Sequence, residues 1–339
     1  MDLSVLIPTH RRPEAINRCL RCLENQCSGE RIEIIVGLDG DEEETPMPAI
    51  PPGLVSNTRV ERFRRVGLLK VRQGLLGQAR GEIVLWLNDD AYAEPGLIES
   101  HLEGHRRSGN ARVIAGRAVW KPLLDPNLFD RLVQGSDLVF FSQGDRPRVI
   151  DYRNCFGLNM SFERELTIES GGVADVTEFY GYEDIELAWR LSRAGAECFY
   201  EPGAVVTHDH RYSPRDVHRR EYLLGRAAYA FAHANPSFAK ELFQSDLRDF
   251  GTIEPLGSVI EHSWRDAVRI ERTFLMLDEL SDSAVSDDLL PVLAEHWVLL
   301  KRLLWRWGVL DASRGVDSRW SLLSETSPDQ VLGTSPIVV

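Results

Sequence analysis

Three apolar segments, each typical of a buried strand, run directly into polar residues that can bind a charged ligand. The polar segments are Pro8-Thr9-His10-Arg11-Arg12, Asp39-Gly40-Asp41 and Asn88-Asp89-Asp90. Ligands of an open parallel sheet bind outside the carboxyl ends of its strands, so these segments are expected to face one site. Polar turns after strands are common, and one such segment alone would indicate only a loop. Three at the same edge favour a binding site.

Asn88-Asp89-Asp90 places hard oxygen ligands at the rigid end of a strand. Such ligands suit Mg²⁺ or Mn²⁺, which bridge one or two carboxylates to a diphosphate. A helix cap is the competing interpretation, because Glu94-Pro95 opens a helix shortly afterwards. The sequence therefore predicts a divalent-metal site here and keeps the cap as an alternative.

Glu183 and Asp184 are adjacent acids at the start of an amphipathic helix. The helix dipole and the free backbone N–H groups of a first turn stabilise an ionised carboxylate there. Such a carboxylate can accept a proton as a general base, but it can equally be an ordinary helix cap. This segment alone leaves the two interpretations level.

A later strand ends in His208-Asp209-His210, two imidazoles that flank a carboxylate. A lone histidine at such a position is structural more often than not. Two histidines at one strand end favour contact with a metal or a phosphate.

Alternating strands and helices must position these side chains. Short runs rich in branched apolar residues predict buried strands at Leu3–Ile7, Ile32–Leu38 and Ile83–Leu87, separated by helices and by a long loop from Asp39 to Thr58. Further strands are expected at 112–120, 153–160, 197–200 and 205–208. This alternation implies an α/β protein with a mostly parallel sheet flanked by helices. From Arg215 onward the pattern becomes helical.

Composition excludes several classes of protein. The chain has 339 residues, 43% hydrophobic and 27% charged, with a net charge of −13, so it is globular and unsuited to binding nucleic acid by bulk charge. Five cysteines are too few for a disulfide scaffold and indicate a reduced, cytoplasmic protein. The N-terminus resembles no signal peptide, and no apolar stretch approaches the roughly 18 residues of a membrane span.

The ordered set of motifs resembles the family 2 glycosyltransferases, which have a GT-A fold and use nucleotide-sugar donors. The resemblance is carried by Ser4-Val5-Leu6-Ile7-Pro8-Thr9, Asp39, the run from Gly81 to Asp90, Asn159-Met160-Ser161-Phe162, Gly171-Gly172, the Gly181-Tyr182-Glu183-Asp184 helix start and His208. It covers roughly residues 3 to 210. No single motif is specific, but their order and spacing are.

The resemblance implies a role for each matching residue. It assigns the metal to Asp90 and His208, as Mn²⁺ or Mg²⁺, with Asn88 in place of the first acid of the family's Asp-x-Asp motif. It assigns the general base to Asp184, with Glu183 contacting the acceptor. The residues that it assigns to the nucleotide sugar are Pro8, Thr9, Arg11, Asp39, Arg72, Asn88 and Asp89. Asn159 and Trp189 are expected to shape the acceptor pocket.

The resemblance, together with the change to a helical pattern and the unpatterned C-terminal segment, indicates how the chain is organised. We expect a GT-A (Rossmann-like) catalytic domain over 1–213, a helical C-terminal region over 214–310 and a flexible tail over 311–339. The basic and apolar helix at 289–307 fits packing, a homodimer contact or a peripheral contact at the inner face of the membrane. Packing or dimerisation is favoured, because stable anchoring usually takes two signals.

The expected activity is metal-dependent transfer of a sugar, from a UDP-sugar in the first instance, to an acceptor hydroxyl. A single displacement with Asp184 as base would invert the anomeric configuration. A sugar-phosphate nucleotidyltransferase is one alternative, although such enzymes begin with a Gly-rich loop and residues 8–12 contain no glycine. A non-catalytic nucleotide-sugar-binding protein is the other. The acceptor stays open between saccharide, lipid-linked, peptide and small-metabolite hydroxyls.

Overall fold

The computed structural model describes residues 1–26, 31–136, 144–174, 176, 181–318 and 320–332. The strands are β1 (Leu3–Thr9), β2 (Ile32–Asp39), β3 (Thr58–Phe63), β4 (Ile83–Leu87), β5 (Ala91–Ala93), β6 (Arg112–Trp120), β7 (Arg148–Val149), β8 (Asn159–Glu163) and β9 (Glu197–His208). The helices are α1 (Pro13–Leu23), α2 (Leu68–Gln78), α3 (Leu97–Arg106), α4 (Leu128–Gln134), α5 (Arg164–Glu169), α6 (Glu183–Arg193), α7 (Pro214–Ala234), α8 (Pro236–Phe243), α9 (Phe250–Leu277), α10 (Leu289–Ser313) and α11 (Pro328–Leu332).

The chain divides into two compact units. Within the described residues, the first comprises 1–121 with 144–210, and the second comprises 122–136 with 211–332. The segment around α4 thus belongs with the C-terminal helices, a long-range association that no local pattern reveals. The domain limits expected from the sequence stay a prediction, and residues 333–339 of the expected tail lie outside the described residues.

The first unit is built on one mixed sheet with strand order β3-β2-β1-β4-β8-β6-β9-β5, and β7 pairs with β9 as well. Strands β3, β2, β1 and β4 are parallel neighbours. β8 is antiparallel to both β4 and β6, and β6 is parallel to β9. β9 therefore runs in the same direction as β4. The carboxyl ends of β1, β2, β4 and β9 consequently lie at one edge of the sheet, as the sequence predicted.

Burial explains the strands that the sequence indicated clearly. Every residue of β1 is buried, and β2 is buried up to Asp39 at its end. β1 continues through Pro8 to Thr9 and, beyond Leu6, pairs only with β2. Proline has no backbone N–H to donate, and it is tolerated in a strand where a neighbouring strand is absent on one side. Helix α1 covers the sheet with a single apolar face of Ile16, Cys19, Leu20 and Leu23.

Several observed strands differ from the expected ones, and the short strands β5 and β7 were not expected. The polar strand β3 lies at the end of the predicted loop, on the sheet edge, where most of its residues are partly exposed. The strand expected at 153–160 begins only at Asn159, because Asp151 caps a 3-10 turn at Tyr152–Asn154. The two strands expected at 197–200 and 205–208 are one strand, β9, whose register with β6 shifts between Gly116 and Arg117.

The second unit is helical, and α10 packs against both α7 and α9. Two glycines allow the backbones of α7 and α10 to approach each other: a Cβ on Gly225 would lie 1.9 Å from Trp305 O, and one on Gly308 would lie 1.9 Å from Tyr222 O. The Tyr222 hydroxyl donates to Asp311 Oδ2 at 2.8 Å across the same contact. Glu271 of α9 accepts the backbone N–H groups of Leu323 and Ser324 at 3.0 and 2.8 Å.

Helix α10 contains the segment 289–307. Trp297, Leu300, Leu304 and Trp307 are buried in the second unit, so this helix uses its bulkiest residues for packing. Leu289, Val292 and Leu299 are exposed. Among the described residues, no helix has both the length and the apolar character needed to span a membrane. Cys19, Cys22, Cys155 and Cys198 are free thiols, and Cys27 lies outside the described residues.

Candidate active site

Asp90, His208 and His210 form a cluster in which one ligand atom from each lies within 4.8 Å of the others. Short strand β5 brings them together, because Ala91 pairs with His208 and the Asp209 N–H donates to Asp90 O at 2.8 Å. His208 Nε2 lies 3.6 Å from Asp90 Oδ1, and His210 Nδ1 lies 3.3 Å from Asp90 Oδ2. The cluster extends the predicted pair Asp90 and His208 by a third residue, His210.

Burial and neighbouring groups shift the pKa values of two members of the cluster. Burial lowers the pKa of His208 to about 4, which leaves its imidazole neutral at pH 7. Burial alone would raise the pKa of Asp90, but hydrogen bonding to His210 and the interactions with His208 and Arg12 outweigh it and lower that pKa to about 2. Asp90 Oδ1 is buried and has no hydrogen-bond partner among the described residues. A carboxylate with one unsatisfied oxygen beside two imidazoles fits a divalent cation.

Asp89 faces the end of β1. Its Oδ2 accepts a hydrogen bond from the Thr9 hydroxyl at 2.6 Å, and its Oδ1 lies 3.3 Å from Arg12 Nη1. Burial, and next the charge of Asp90, raise the pKa of Asp89 to about 6. The structure therefore brings Thr9, Asp89 and Asp90 to one place, as their assignment to the donor and metal requires.

Arg72 lies in the interior and links three segments of the chain. Its guanidinium donates to Glu183 Oε1 at 3.0 Å, to Asn88 Oδ1 at 3.2 Å and to Gly157 O at 3.0 Å. It also lies over the ring of Trp86, 4.3 Å from the centroid. Arg72 is 2% exposed, so its surroundings favour a positioning role over direct contact with a nucleotide sugar.

Glu183 and Asp184 begin α6, as the sequence predicted, and have different surroundings. Glu183 is buried; its Oε2 accepts the Gly181 N–H at 2.6 Å, and burial raises its pKa. Asp184 is less buried and accepts one backbone N–H on each oxygen, from Ile185 and from Gly157, both at 2.8 Å. These two bonds fix the orientation of the Asp184 carboxylate and leave each oxygen a further lone pair for a proton.

Asp39 closes the loop before α2. Its Oδ1 and Oδ2 accept the backbone N–H groups of Val66 and Gly67 at 2.7 and 2.9 Å. Arg11 has a left-handed backbone, with φ of 55°, and pairs with Glu44 beside this loop. Pro8 lies next to Gly37 in the strand pairing. The expected nucleotide residues Pro8, Arg11 and Asp39 thus share the carboxyl edge of β1 and β2.

Asn159 is in the interior of the sheet. Its Oδ1 pairs with His101 Nε2 at 2.8 Å, and its Nδ2 donates to Ala204 O at 2.9 Å. Because its amide is 2% exposed and satisfied by the protein, these surroundings favour a structural role. Trp189 lies on α6, and Arg193 stacks over its ring at 5.6 Å. Acceptor contact by either residue stays a prediction.

The roles drawn from the family resemblance did not include His210 or Arg12, although both stand in polar segments that the sequence indicated. His210 follows His208 at a spacing of two, which in an extended segment returns the side chain to the same side. Arg12 stands in the polar loop after β1, and only the tertiary structure brings its guanidinium to 2.6 Å from Asp90 Oδ2.

Comparison with solved structures identifies the fold. A mannosyltransferase, PcManGT from Pyrobaculum calidifontis, solved in complex with GDP-Man and Mn²⁺, matches 91% of this chain and 86% of its own with a TM-score of 0.51 at 16% sequence identity. At this identity the likeness concerns the fold, which is that of a GT-A glycosyltransferase with a helical C-terminal region.

Sequence comparison then gives the family. Residues 4–170 match the family described as Glycosyl transferase family 2. A glucosyl-dolichyl phosphate glucuronosyltransferase of Haloferax volcanii is 28% identical over 224 residues, which are 61% of this chain and 69% of that protein. A pre-mycofactocin glycosyltransferase of Mycobacterium tuberculosis is 42% identical over 73 residues, which are 22% of this chain and 15% of that protein. The predicted family, fold class and transferase activity are confirmed.

Proposed function

We propose that this glycosyltransferase moves a sugar from a nucleoside diphosphate sugar to an acceptor hydroxyl, with a divalent metal at Asp90, His208 and His210 and with Asp184 as the general base. The observation that carries the proposal is the cluster of one carboxylate and two imidazoles at the sheet edge. The Arg72 side chain ties the loop that holds Asp90 to the helix that holds Asp184, through Asn88 and Glu183.

The donor set favours Mn²⁺ over Mg²⁺. Mg²⁺ binds mainly oxygen ligands, whereas imidazole nitrogens suit first-row transition metals. When bound, such an ion supplies positive charge that neutralises a departing diphosphate. His208 and His210 would contribute imidazole nitrogens, and Asp90 would contribute the negative charge that attracts the cation.

Asp39, Pro8, Thr9 and Arg11 are proposed to hold the nucleotide. Each oxygen of Asp39 accepts one backbone N–H and keeps one lone pair, so the carboxylate can still accept a hydrogen bond from a base, such as the N3–H of uracil. With the resemblance to the family as the guide to the base, we propose a UDP-sugar as the donor. The GDP-Man bound to the mannosyltransferase of similar fold makes GDP-sugars the first competitor to test.

Asp184 is proposed to remove the proton from the acceptor hydroxyl. Its backbone hydrogen bonds hold the carboxylate still, so the proton acceptor does not have to be ordered during the reaction. Attack by the deprotonated hydroxyl opposite the leaving diphosphate inverts the anomeric centre. The name of the Haloferax volcanii relative makes a lipid-linked sugar the first acceptor to test. A cytoplasmic location, a homodimer and a membrane contact through exposed Leu289, Val292 and Leu299 stay predictions.

The test is release of nucleoside diphosphate from UDP- and GDP-sugars with Mn²⁺, with and without saccharide and lipid-linked acceptors. We expect UDP release that EDTA abolishes and that Asp90→Asn reduces by about 10²-fold or more. Asp209→Asn is the matched control, because Asp209 is the neighbouring acid and its side chain instead pairs with Lys121 at 2.7 Å. Donor binding without any turnover would support a binding protein, and turnover that survives EDTA would contradict the metal.

A further inference from the structure

Arg12 lies against the acids of the proposed metal site. Its Nη1 is 2.6 Å from Asp90 Oδ2 and 3.3 Å from Asp89 Oδ1, and its Nη2 is 3.5 Å from His210 Nδ1. The two carboxylates are buried, whereas the Arg12 side chain is 43% exposed. One guanidinium therefore offsets part of the negative charge of a buried acidic pair from the solvent side.

The position of Arg12 conflicts with a metal on the same carboxylate. Asp90 Oδ2 is shared between Arg12 and His210, and His210 is one of the proposed metal ligands. An ion coordinated by Asp90 would stand a few ångströms from a permanent positive charge, which repels it strongly in a partly buried site. Metal binding thus requires the guanidinium to leave Asp90 or to gain an anion of its own.

The position of Arg12 in the fold would allow its guanidinium to bind an anion. Arg12 is the residue before the first turn of α1, where backbone N–H groups and the helix dipole favour an anion. A guanidinium binds phosphate oxygens through two parallel hydrogen bonds. A diphosphate beside the metal would accept hydrogen bonds from the Arg12 guanidinium, and its negative charge would offset the repulsion between Arg12 and the ion.

We propose that Arg12 is an internal counter-cation that competes with the divalent metal for Asp90 and is taken over by the donor diphosphate, so that metal and nucleotide bind cooperatively. This rests on the proposed function. Linkage requires the effect to be reciprocal: the nucleotide tightens metal binding by the same factor as the metal tightens nucleotide binding.

Mn²⁺ binding without nucleotide tests the competition directly, by the electron paramagnetic resonance signal of free Mn²⁺. In Arg12→Gln we expect Mn²⁺ alone to bind about tenfold tighter than in the wild type, because the competing charge is gone. We expect UDP alone, or GDP if the donor is a GDP-sugar, to bind this variant about tenfold more weakly than the wild type, because the guanidinium that contacts the phosphates is lost. Arg12→Lys should keep the Mn²⁺ affinity near that of the wild type, because lysine retains the positive charge. It should still weaken the binding of UDP, because lysine cannot make the two parallel hydrogen bonds of a guanidinium.

Arg18→Gln is the matched control. Arg18 also lies on α1, its side chain is 45% exposed, and it pairs with Asp209 at 3.4 Å instead of Asp90. An Arg12→Gln protein that binds Mn²⁺ no tighter than Arg18→Gln would overturn the proposal, even if wild-type transfer depends on metal. If no variant binds Mn²⁺ and wild-type transfer survives EDTA, the metal of the proposed function fails as well. Unchanged thermal unfolding of the variants establishes that the comparison is between folded proteins.

Discussion

Arg72 Nη1 donates to Glu183 Oε1 at 3.0 Å across 111 positions of sequence, and both side chains are almost fully buried. The same guanidinium contacts Asn88, directly before Asp89 and Asp90, and the carbonyl of Gly157, whose N–H holds Asp184. One side chain therefore connects the segment proposed to bind the metal with the helix proposed to carry the base. Because a buried ion pair needs both partners, the geometry of the two regions depends on Arg72.

Arg72→Met should destabilise the protein by about 3–5 kcal/mol, since Glu183 would be left buried without its counter-charge. Glu183→Leu on the same background should recover part of that loss, which a double-mutant cycle of chemical denaturation measures. Arg72→Lys should lower kcat and leave the KM for the donor close to that of the wild type. A raised donor KM with unchanged kcat would instead support the nucleotide contact expected from the sequence.

Asp184→Asn should lower kcat by about 10²–10⁴-fold, because the amide cannot accept the acceptor proton. Its amide oxygen still accepts one of the two backbone N–H groups, so donor affinity, measured by calorimetry, should stay within about twofold of the wild type. Asp151→Asn is the control, an exposed acid that caps the 3-10 turn at Tyr152–Asn154. A fully active Asp184→Asn enzyme would remove the base assignment.

Gly225→Ala and Gly308→Ala should each destabilise the second unit by about 3 kcal/mol or more, because the new Cβ would overlap a backbone oxygen of the facing helix. Backbone cannot move aside as a side-chain end can. Gly257→Ala in α9 is the control: its nearest neighbour is Leu332 Cδ2 at 3.8 Å, an ordinary contact. Gly257→Ala should be neutral or stabilising by about 0.5–1 kcal/mol. Equal urea midpoints for the three variants would contradict the close crossing of α7 and α10.

His218→Leu should reduce the acid sensitivity of the protein. Burial lowers the pKa of His218 from 6.5 to about 3, and neither ring nitrogen has a hydrogen-bond partner among the described residues. Because the unfolded chain takes up the proton first, stability from this group is complete above pH 6.5 and is lost as the pH falls towards 3. The stability of the variant relative to the wild type should therefore rise below pH 6.5, by at most about 1.4 kcal/mol per pH unit.

His262→Gln is the control for that titration, because His262 is an exposed histidine on α9. The change in stability relative to the wild type between pH 7 and pH 4, measured from urea midpoints at each pH, should be larger for His218→Leu than for His262→Gln. If His218→Leu behaves in the same way, burial of a neutral His218 does not contribute to the acid sensitivity.

The sequence by itself determined the strands that are buried on both sides and the polar residues at their ends. Ile83–Leu87 and Arg112–Trp120 were predicted with the observed bounds. Ile83–Leu87 is a short, wholly apolar run, which is typical of a buried strand. Thr9, Asp90 and His208 were singled out because each stands at the polar end of a strand, and Asp184 because it begins an amphipathic helix.

Only the tertiary structure decided how those residues are connected. The three-residue strand β5 forms because β9 is there to pair with it, and this pairing adds His210 to Asp90 and His208. No local pattern shows the acidic partners of Arg12 and Arg72; only the tertiary structure places Arg12 beside Asp90 and Arg72 beside Glu183 in the interior. Local patterns report burial and periodicity, whereas the partner of a charge is fixed by strand pairing and helix packing between distant residues. The pairing of β1 with β2 and β4, and of β5 with β9, brings the polar ends of these strands to one edge of the sheet.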